Sequence, residues 1–311
     1  MLIFFRRLIL LFIVCITPMS VAAQTTRPAR VAVLDFGAGG TGMRAAEKLA
    51  HALSAEAGLP VMDRDESRFA ARGIGYEGSL NLTLEEARDL GAAIGCDFYV
   101  TGDAQTLRRS SSARPVYYEA YASVFIVSAR TGRLVLWDRP TFEAAAPEAA
   151  EKLLLAELAG RAARYAVAIR AAAESERNER EFSITHSVPV IEEVPDETSP
   201  QAKGLRLPAP YRRLHPVYPE TAARAEAEAT VDALVDLDIE GEVTRVEVVR
   251  WAGFGLDEET ANTIRRMHFR PAMRDGVPLP MRVLLRYNFQ KPKKEDKGGN
   301  GEEGKSERGN R

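Results

Sequence analysis

Near the end of this 311-residue chain, two short runs of alternating residues close on a glycine. Val231, Ala233, Val235 and Leu237 alternate with Asp232, Asp236 and Asp238. Val243 to Trp251 returns after Ile239-Glu240-Gly241. A period of two marks a strand with one buried face, and Gly241 can take the positive φ that a tight turn uses. The pair predicts a β-hairpin, and its flanks extend the pattern. Pro219 opens a short helix running to about Ala227. Asp257 to Met267 predicts a second helix, with Asp257, Glu258 and Glu259 in its first turn and Arg265 and Arg266 in its last. That charge order suits the helix dipole. A final strand sets Met281, Val283, Leu285, Tyr287 and Phe289 on one face and Arg282, Arg286 and Asn288 on the other. Residues 211–290 thus read as a small α-β-β-α-β domain. A sheet of so few strands keeps an edge open to strand addition. Tyr218, Pro219, Arg282, Arg286 and Tyr287 are the candidate partner-binding residues, with charge that merely protects an edge an equal reading of the two arginines.

The rest of the chain has room for a second domain. Hydrophobic residues make up 45% and charged residues 28%, so a core can form. The net charge of -2 argues against a nucleic-acid partner. Arg6 and Arg7, the apolar run Leu8–Ile16 and the small-residue exit Val21-Ala22-Ala23 follow the plan of a secretory signal over residues 1–23. Cys15 follows the bulky Val14, which does not suit a lipid-attachment site. Removal of the signal leaves Cys96 alone, so no internal disulfide is expected, and its apolar setting reads as a small buried side chain.

Residues 30–182 read as an α/β domain with a mixed sheet. Strands are expected at 31–36, 60–62, 98–102, 116–128 and 133–137, with helices at 43–57 and from Thr83, whose Glu86 completes a capping box. A long helix is expected over 147–181, its apolar face formed by Leu153, Leu154, Leu158, Ala162, Tyr165 and Ile169. Residues 183–210 carry five prolines and no period. As a flexible linker their ends would lie on the order of 30 Å apart. The tail from Lys291 to Arg311 has almost no apolar side chain and is expected to be disordered.

Chemistry-bearing patterns are sparse. Gly37, Gly39 and Gly42 follow a strand and precede a helix, with Asp63 beyond, the outline of a dinucleotide-binding turn. A plain glycine turn is the competing reading, since Asp35 would repel phosphate and no P-loop Lys-Ser/Thr follows. His51, His186, His215 and His268 share no metal-ligand spacing with one another or with a cysteine. Asp63-Arg64-Asp65-Glu66 reads as a turn, and Ser110 to Ser112 with Arg108, Arg109 and Arg114 as a solvated basic loop. No local motif ties Ser, His and Asp into a nucleophilic set. No catalytic, cofactor or metal residue is assigned.

The C-terminal pattern resembles the C-terminal domain of TonB, the energy-transducing protein of the bacterial envelope. The resemblance rests on Pro216, Tyr218-Pro219, Ala222, Glu228, Val231, the Asp238–Gly241 turn with Val243, Gly255-Leu256-Asp257 and Phe269-Arg270-Pro271-Ala272. Ala229 stands where that family usually has glycine. The resemblance implies pairing with a short segment of an outer-membrane receptor by strand addition. A TonB transducer keeps an N-terminal anchor and a long Pro-rich spacer, where this chain reads as a signal, a globular domain and a short linker. Val31-Ala32-Val33-Leu34-Asp35-Phe36, Leu90-Gly91, Gly95-Cys96-Asp97, Val100-Thr101-Gly102 and Thr131-Gly132 resemble, more weakly, exported α/β domains such as those of CsgG and the N-terminal part of TolB.

The expectation is therefore a non-enzymatic, cofactor-free, exported protein, periplasmic or envelope-associated in a bacterium with an outer membrane. It binds a protein partner by strand addition in TonB-type transmembrane transport, the partner being a TonB-dependent receptor or another envelope protein. An envelope assembly adaptor, with a second copy as partner, is the alternative. An exported dinucleotide-binding oxidoreductase is a third.

Overall fold

The computed structural model describes residues 27–110, 116–185, 191–195 and 198–291. The targeting segment 1–23, His186, Ser111, Ser112 and Arg114 of the basic loop, and the tail beyond Lys291 lie outside the described residues.

The N-terminal unit is built on one mixed sheet. Strand β1 (Val31–Val33) leads into helix α1 (Gly40–Ala55). Where a strand was expected at 60–62, only Val61 bridges to Val31. Pro60 has no N–H to give to a ladder, and Asp63 at once caps the next helix, α2 (Arg64–Gly73), by accepting from the Glu66 N–H at 3.0 Å. The acidic run read as a turn is thus a helix start. Helix α3 (Leu84–Ile94) opens on the expected capping box, with Thr83 N donating to Glu86 at 2.7 Å and Glu86 N to Thr83 at 3.1 Å. Strands β2 (Phe98–Arg109) and β3 (Tyr117–Ser128) form a long antiparallel hairpin, and β1 runs parallel to β2. The outer edge of β3 is shared by β4 (Leu134–Asp138) and an unexpected short strand, β5 (Thr141–Ala144), which meet at Arg139-Pro140.

Helix α4 (Pro147–Thr185) crosses one face of this sheet beside α1. Leu154, Leu158, Ala162, Tyr165 and Ile169 recur at helical spacing and are fully buried against Val33, Val100, Val124 and Ile126. Each such leucine or isoleucine contributes about 2 kcal/mol of transfer free energy. The other face carries Ala32, Leu34, Tyr99, Phe125 and Val127. Helices α2 and α3 cover part of it, and Trp251, Val248 and Phe254 of the C-terminal module complete it. The two units share a core.

The described residues of the segment expected as a flexible linker, 191–195 and 198–210, include short strands paired with the C-terminal module. Strand β6 (Glu192–Glu193), a 3-10 turn at Pro200–Ala202, β7 (Leu205–Arg206) and β8 (Ala209–Pro210) precede helix α5 (Glu220–Ala225). The module continues with β9 (Ala229–Leu237), β10 (Val243–Arg250), α6 (Leu256–Ile264), β11 (Phe269–Arg270), β12 (Ala272–Arg274), β13 (Val277–Leu279) and β14 (Met281–Phe289). β7 pairs with β12, β8 with β11, and β6 with the start of β14. Pairings of two residues are too short to leave a period in the sequence, so the segment read as coil. The expected α-β-β-α-β order is present as α5-β9-β10-α6-β14.

Candidate functional site: the open edge of the C-terminal sheet

The module's main sheet has the order β10-β9-β14-β6. Asp238 closes the β9–β10 turn by accepting from Glu240 N at 3.0 Å and Glu242 N at 2.8 Å, with Gly241 at φ 85°. One face of β9 is apolar, with Val231, Ala233, Val235 and Leu237 buried. The opposite face was expected to meet solvent, yet Asp232 and Asp236 are only 3% and 4% exposed. Arginines from both neighbouring strands fold over them. Arg282 sets Nε at 2.6 Å and Nη2 at 2.9 Å from Asp236, and Arg286 sets the same atoms at 2.7 Å and 2.9 Å from Asp232. Arg250 reaches Asp232 from β10 at 3.3 Å. Two-pronged arginine–carboxylate bonds of this kind are the strong, geometrically specific ones. The Arg286 guanidinium holds the Asp232 carboxyl below its usual range against the opposing pull of burial.

The five candidate binding residues all lie around β14, and three serve the fold itself. Pro219 precedes α5 as its N-cap, and the Tyr218 hydroxyl donates to Ala227 O at 2.6 Å, its ring 6.4 Å from that of Phe289. Tyr287 is buried, its hydroxyl 3.3 Å from Leu214 O. Arg282 and Arg286 are held by the carboxylates, although the Arg286 side chain stays 58% exposed.

β14 presents the open edge. β6 pairs only with Met281 and Arg282, and among the described residues no strand continues along that side. Val194 N donates to Arg282 O at 3.3 Å, which shows that Arg282 turns its backbone outward. By the two-residue period of a strand, Leu284, Arg286 and Asn288 do the same. Arg213 Nη2 lies 3.4 Å from Arg286 O, in keeping with that parity. Leu284 is 53% exposed.

The opposite edge, β10, lies against the N-terminal unit. Thr83 forms an antiparallel bridge with Arg250, and Trp251 N donates to Leu82 O at 3.3 Å. The Asn81 amide treats Thr230 as a strand neighbour would: its nitrogen donates to Thr230 O at 2.8 Å and its oxygen accepts from Thr230 N at 3.1 Å. The same nitrogen reaches Trp251 O at 2.7 Å. Trp251, only 2% exposed, donates from Nε1 to Gly132 O at 3.0 Å and stacks 5.7 Å from Phe125. Phe254 sits 4.9 Å from the Trp137 ring. Gly253 between them has φ 72°, and a Cβ there would fall 2.7 Å from both Phe125 and Trp137. Asp257, at the start of α6, accepts from Ala252 N at 2.9 Å and Gly253 N at 2.8 Å and so fixes this turn. Burial pushes its carboxyl up to about 7, the two N–H donors pulling the other way. Sequence reasoning missed Asn81, Gly253 and the socket for Trp251. The Gly253-Phe254-Gly255 triplet, an aromatic between two glycines, was the available signal.

The N-terminal candidates have structural roles. A Cβ at Gly42 would lie 2.0 Å from Phe36 O, so that glycine lets α1 approach the end of β1. Asp63 is used as a helix cap, and Asp35 is held by Arg64 at 2.9 Å. Cys96 is half-buried, and burial pushes its thiol up to about 12, far from a reactive thiolate. His51 and His215 are exposed, and His268 Nδ1 lies 2.9 Å from Glu242. Among the described residues no group of His, Cys, Asp and Glu could hold a metal ion, and no helix is long and apolar enough to cross a membrane.

The module is a small helix-flanked sheet, antiparallel over β10-β9-β14, and among the described residues no strand pairs with β14 on its outer side beyond Arg282. Residues 214–290 match the family model for the Gram-negative bacterial TonB protein C-terminal and form a TonB C-terminal-type domain. Among solved structures, the C-terminal domain of Pseudomonas aeruginosa TonB is 19% identical, covering 34% of this chain and 98% of its own, with a TM-score of 0.26. A hypothetical protein from Chlamydia trachomatis is 13% identical, covering 45% of this chain and 99% of its own, with a TM-score of 0.32. No curated protein sequence matches the chain.

Proposed function

We propose that this chain is a non-enzymatic, exported protein of the bacterial envelope that binds a protein partner by adding the partner's extended segment to β14, in TonB-type transport across the outer membrane. The observation that carries the reading is the outer backbone of β14 beyond Arg282, which has no strand neighbour among the described residues, whereas the backbone of β10 is met by the N-terminal unit at Arg250 and Trp251. An open ladder of backbone donors and acceptors is what strand addition uses. A photo-crosslinking residue at Leu284 in the full chain, used in intact envelopes, should capture a periplasmic or outer-membrane protein. The same probe at Arg245 on β10 should not. A Leu284→Pro change, which breaks backbone pairing, should abolish partner binding. Equal capture from both edges, or binding indifferent to the proline, counts against the reading.

The second reading is an envelope adaptor without energy transduction, with another envelope protein or a second copy as partner. The shared core at Trp251 favours it, since it joins the module to a globular unit. Capture at Leu284 that persists after collapse of the proton-motive force selects the adaptor.

A further inference from the structure

The open edge carries a charge pattern that names its guest. The first two residues of β14 already have an extended neighbour, β6, and it is acidic: Glu192 pairs with Met281 and Glu193 with Arg282. Both carboxylates are placed on arginines of the module. Glu192 accepts from Arg274 Nη1 at 3.1 Å, and Glu193 lies 3.7 Å from Arg282. The Arg274 guanidinium holds Glu192 below its usual range. The chain thus displays, in its own fold, an acidic extended segment seated on β14.

Further along the strand the arginines continue, and among the described residues β6 pairs with no residue of β14 beyond Arg282. Arg213 donates to the Arg286 carbonyl and places its guanidinium 5.9 Å from the Tyr287 ring. Tyr211 N bonds His268 O at 2.9 Å, so residues 211–214 run from β11 towards β14, carrying Arg212 and Arg213 with them. Arg270 stands 5.7 Å over the Tyr211 ring. Among the described residues, no carboxylate lies within ion-pair distance of Arg212, Arg213 or Arg270. Placed over rings and lacking acidic partners, Arg213 and Arg270 are pre-positioned rather than neutralised.

We infer that the segment received by Leu284 to Asn288 is an acidic peptide strand, a carboxylate of which meets Arg213, whose guanidinium lies at the Arg286 carbonyl on the open edge. The inference rests on strand addition at β14 and specifies the chemistry of the guest. Charge of this kind selects partners and speeds encounter, with salt weakening both.

The test uses the full chain and three synthetic peptides of about seven residues, in which valine alternates with Glu, Gln or Lys. Binding is read by fluorescence anisotropy at low and high ionic strength, and β14 protection by hydrogen exchange. The Glu peptide should bind roughly tenfold tighter than the Gln peptide and lose that margin in high salt. It should also lose it in Arg213→Glu, with Arg212→Glu as a second exposed variant. Equal binding of the Glu and Gln peptides, with both variants silent, overturns the acidic guest while leaving strand addition standing. No protection of Leu284 to Asn288 by any peptide overturns both. Tighter binding of a peptide copied from this chain's own residues 295–303 (EDKGGNGEE) would make the guest intramolecular and also overturn the inference.

Discussion

Replacing Trp251 by alanine tests whether the C-terminal module is docked or merely tethered. The side chain is 2% exposed, stacks on Phe125 and donates to Gly132 O at 3.0 Å. Removing a buried tryptophan costs about 3–5 kcal/mol, through lost transfer free energy and the cavity left behind. Were the module free on its tether, the ring would stand at a surface, and the change would stay within about 0.5 kcal/mol. The two cases differ by several kcal/mol, well outside the error of denaturant titration. The chain has two tryptophans, so the variant keeps Trp137 as a single fluorophore beside the seam. Urea unfolding followed by tryptophan fluorescence, which reports Trp137 alone in the variant, and by far-UV circular dichroism should give coincident transitions in the parent and separated ones in the variant. Trp251→Phe, which keeps a ring but leaves the Gly132 carbonyl without its donor, should cost less, about 1 kcal/mol for the lost bond. A Trp251→Ala protein that loses less than about 0.5 kcal/mol, or whose Trp137 midpoint does not move, would refute a shared core.

Three further outcomes follow from the same geometry. Gly253→Ala should destabilise the chain by about 1–3 kcal/mol, from positive φ and overpacking against Phe125 and Trp137 together, seen as a lowered urea midpoint with m unchanged. Asp232, held low by Arg286, contributes stability that is present above the unfolded carboxylate value of about 3.9 and is lost as pH falls through its lower folded value. Asp232→Asn should therefore flatten the acid limb of a stability–pH curve. Asp257 has the opposite sign: its carboxyl, pushed up to about 7 by burial, holds a proton the unfolded chain has already shed. Its contribution thus falls as pH rises from about 4 to about 7. Asp257→Asn should remove that slope, and carbon-13 titration of the side chain should show the raised midpoint directly.

Sequence alone was informative wherever the signal was local. The Thr83–Glu86 capping box and the Gly241 hairpin stand as read, and so does the stripe on α4 except for Leu153, which is 47% exposed beside the buried Leu154, because each is written within a few residues. Helix α2 was lost because its start is polar, and Asp63 capping a helix looks, letter by letter, like Asp63 in a turn. Strand β5 is four residues long and follows a proline, too short to show alternation. The site divides the same way. The arginines of β14 were visible, but their buried carboxylates were not, since an alternating aspartate ordinarily means solvent. The seam had no local trace at all: Asn81 and Trp251 meet across 170 residues of sequence.

The cross-strand charges on β9 also bear on how faithfully the sheet assembles. Arg282 stands opposite Asp236 and Arg286 opposite Asp232 in the ladder. A slip of one residue would turn both guanidiniums into the apolar core, expose Val283 and Leu285, and strand two carboxylates without cations. A misaligned sheet would suffer those penalties together, so the alignment is proofread chemically as well as by hydrophobic fit. On the proposed function, an edge kept available to a visiting strand is exposed to the hazard that it could instead shift against its own neighbour. Anchoring the inner side of β14 by paired ions allows the outer side to remain unfilled without loosening the strand that offers it.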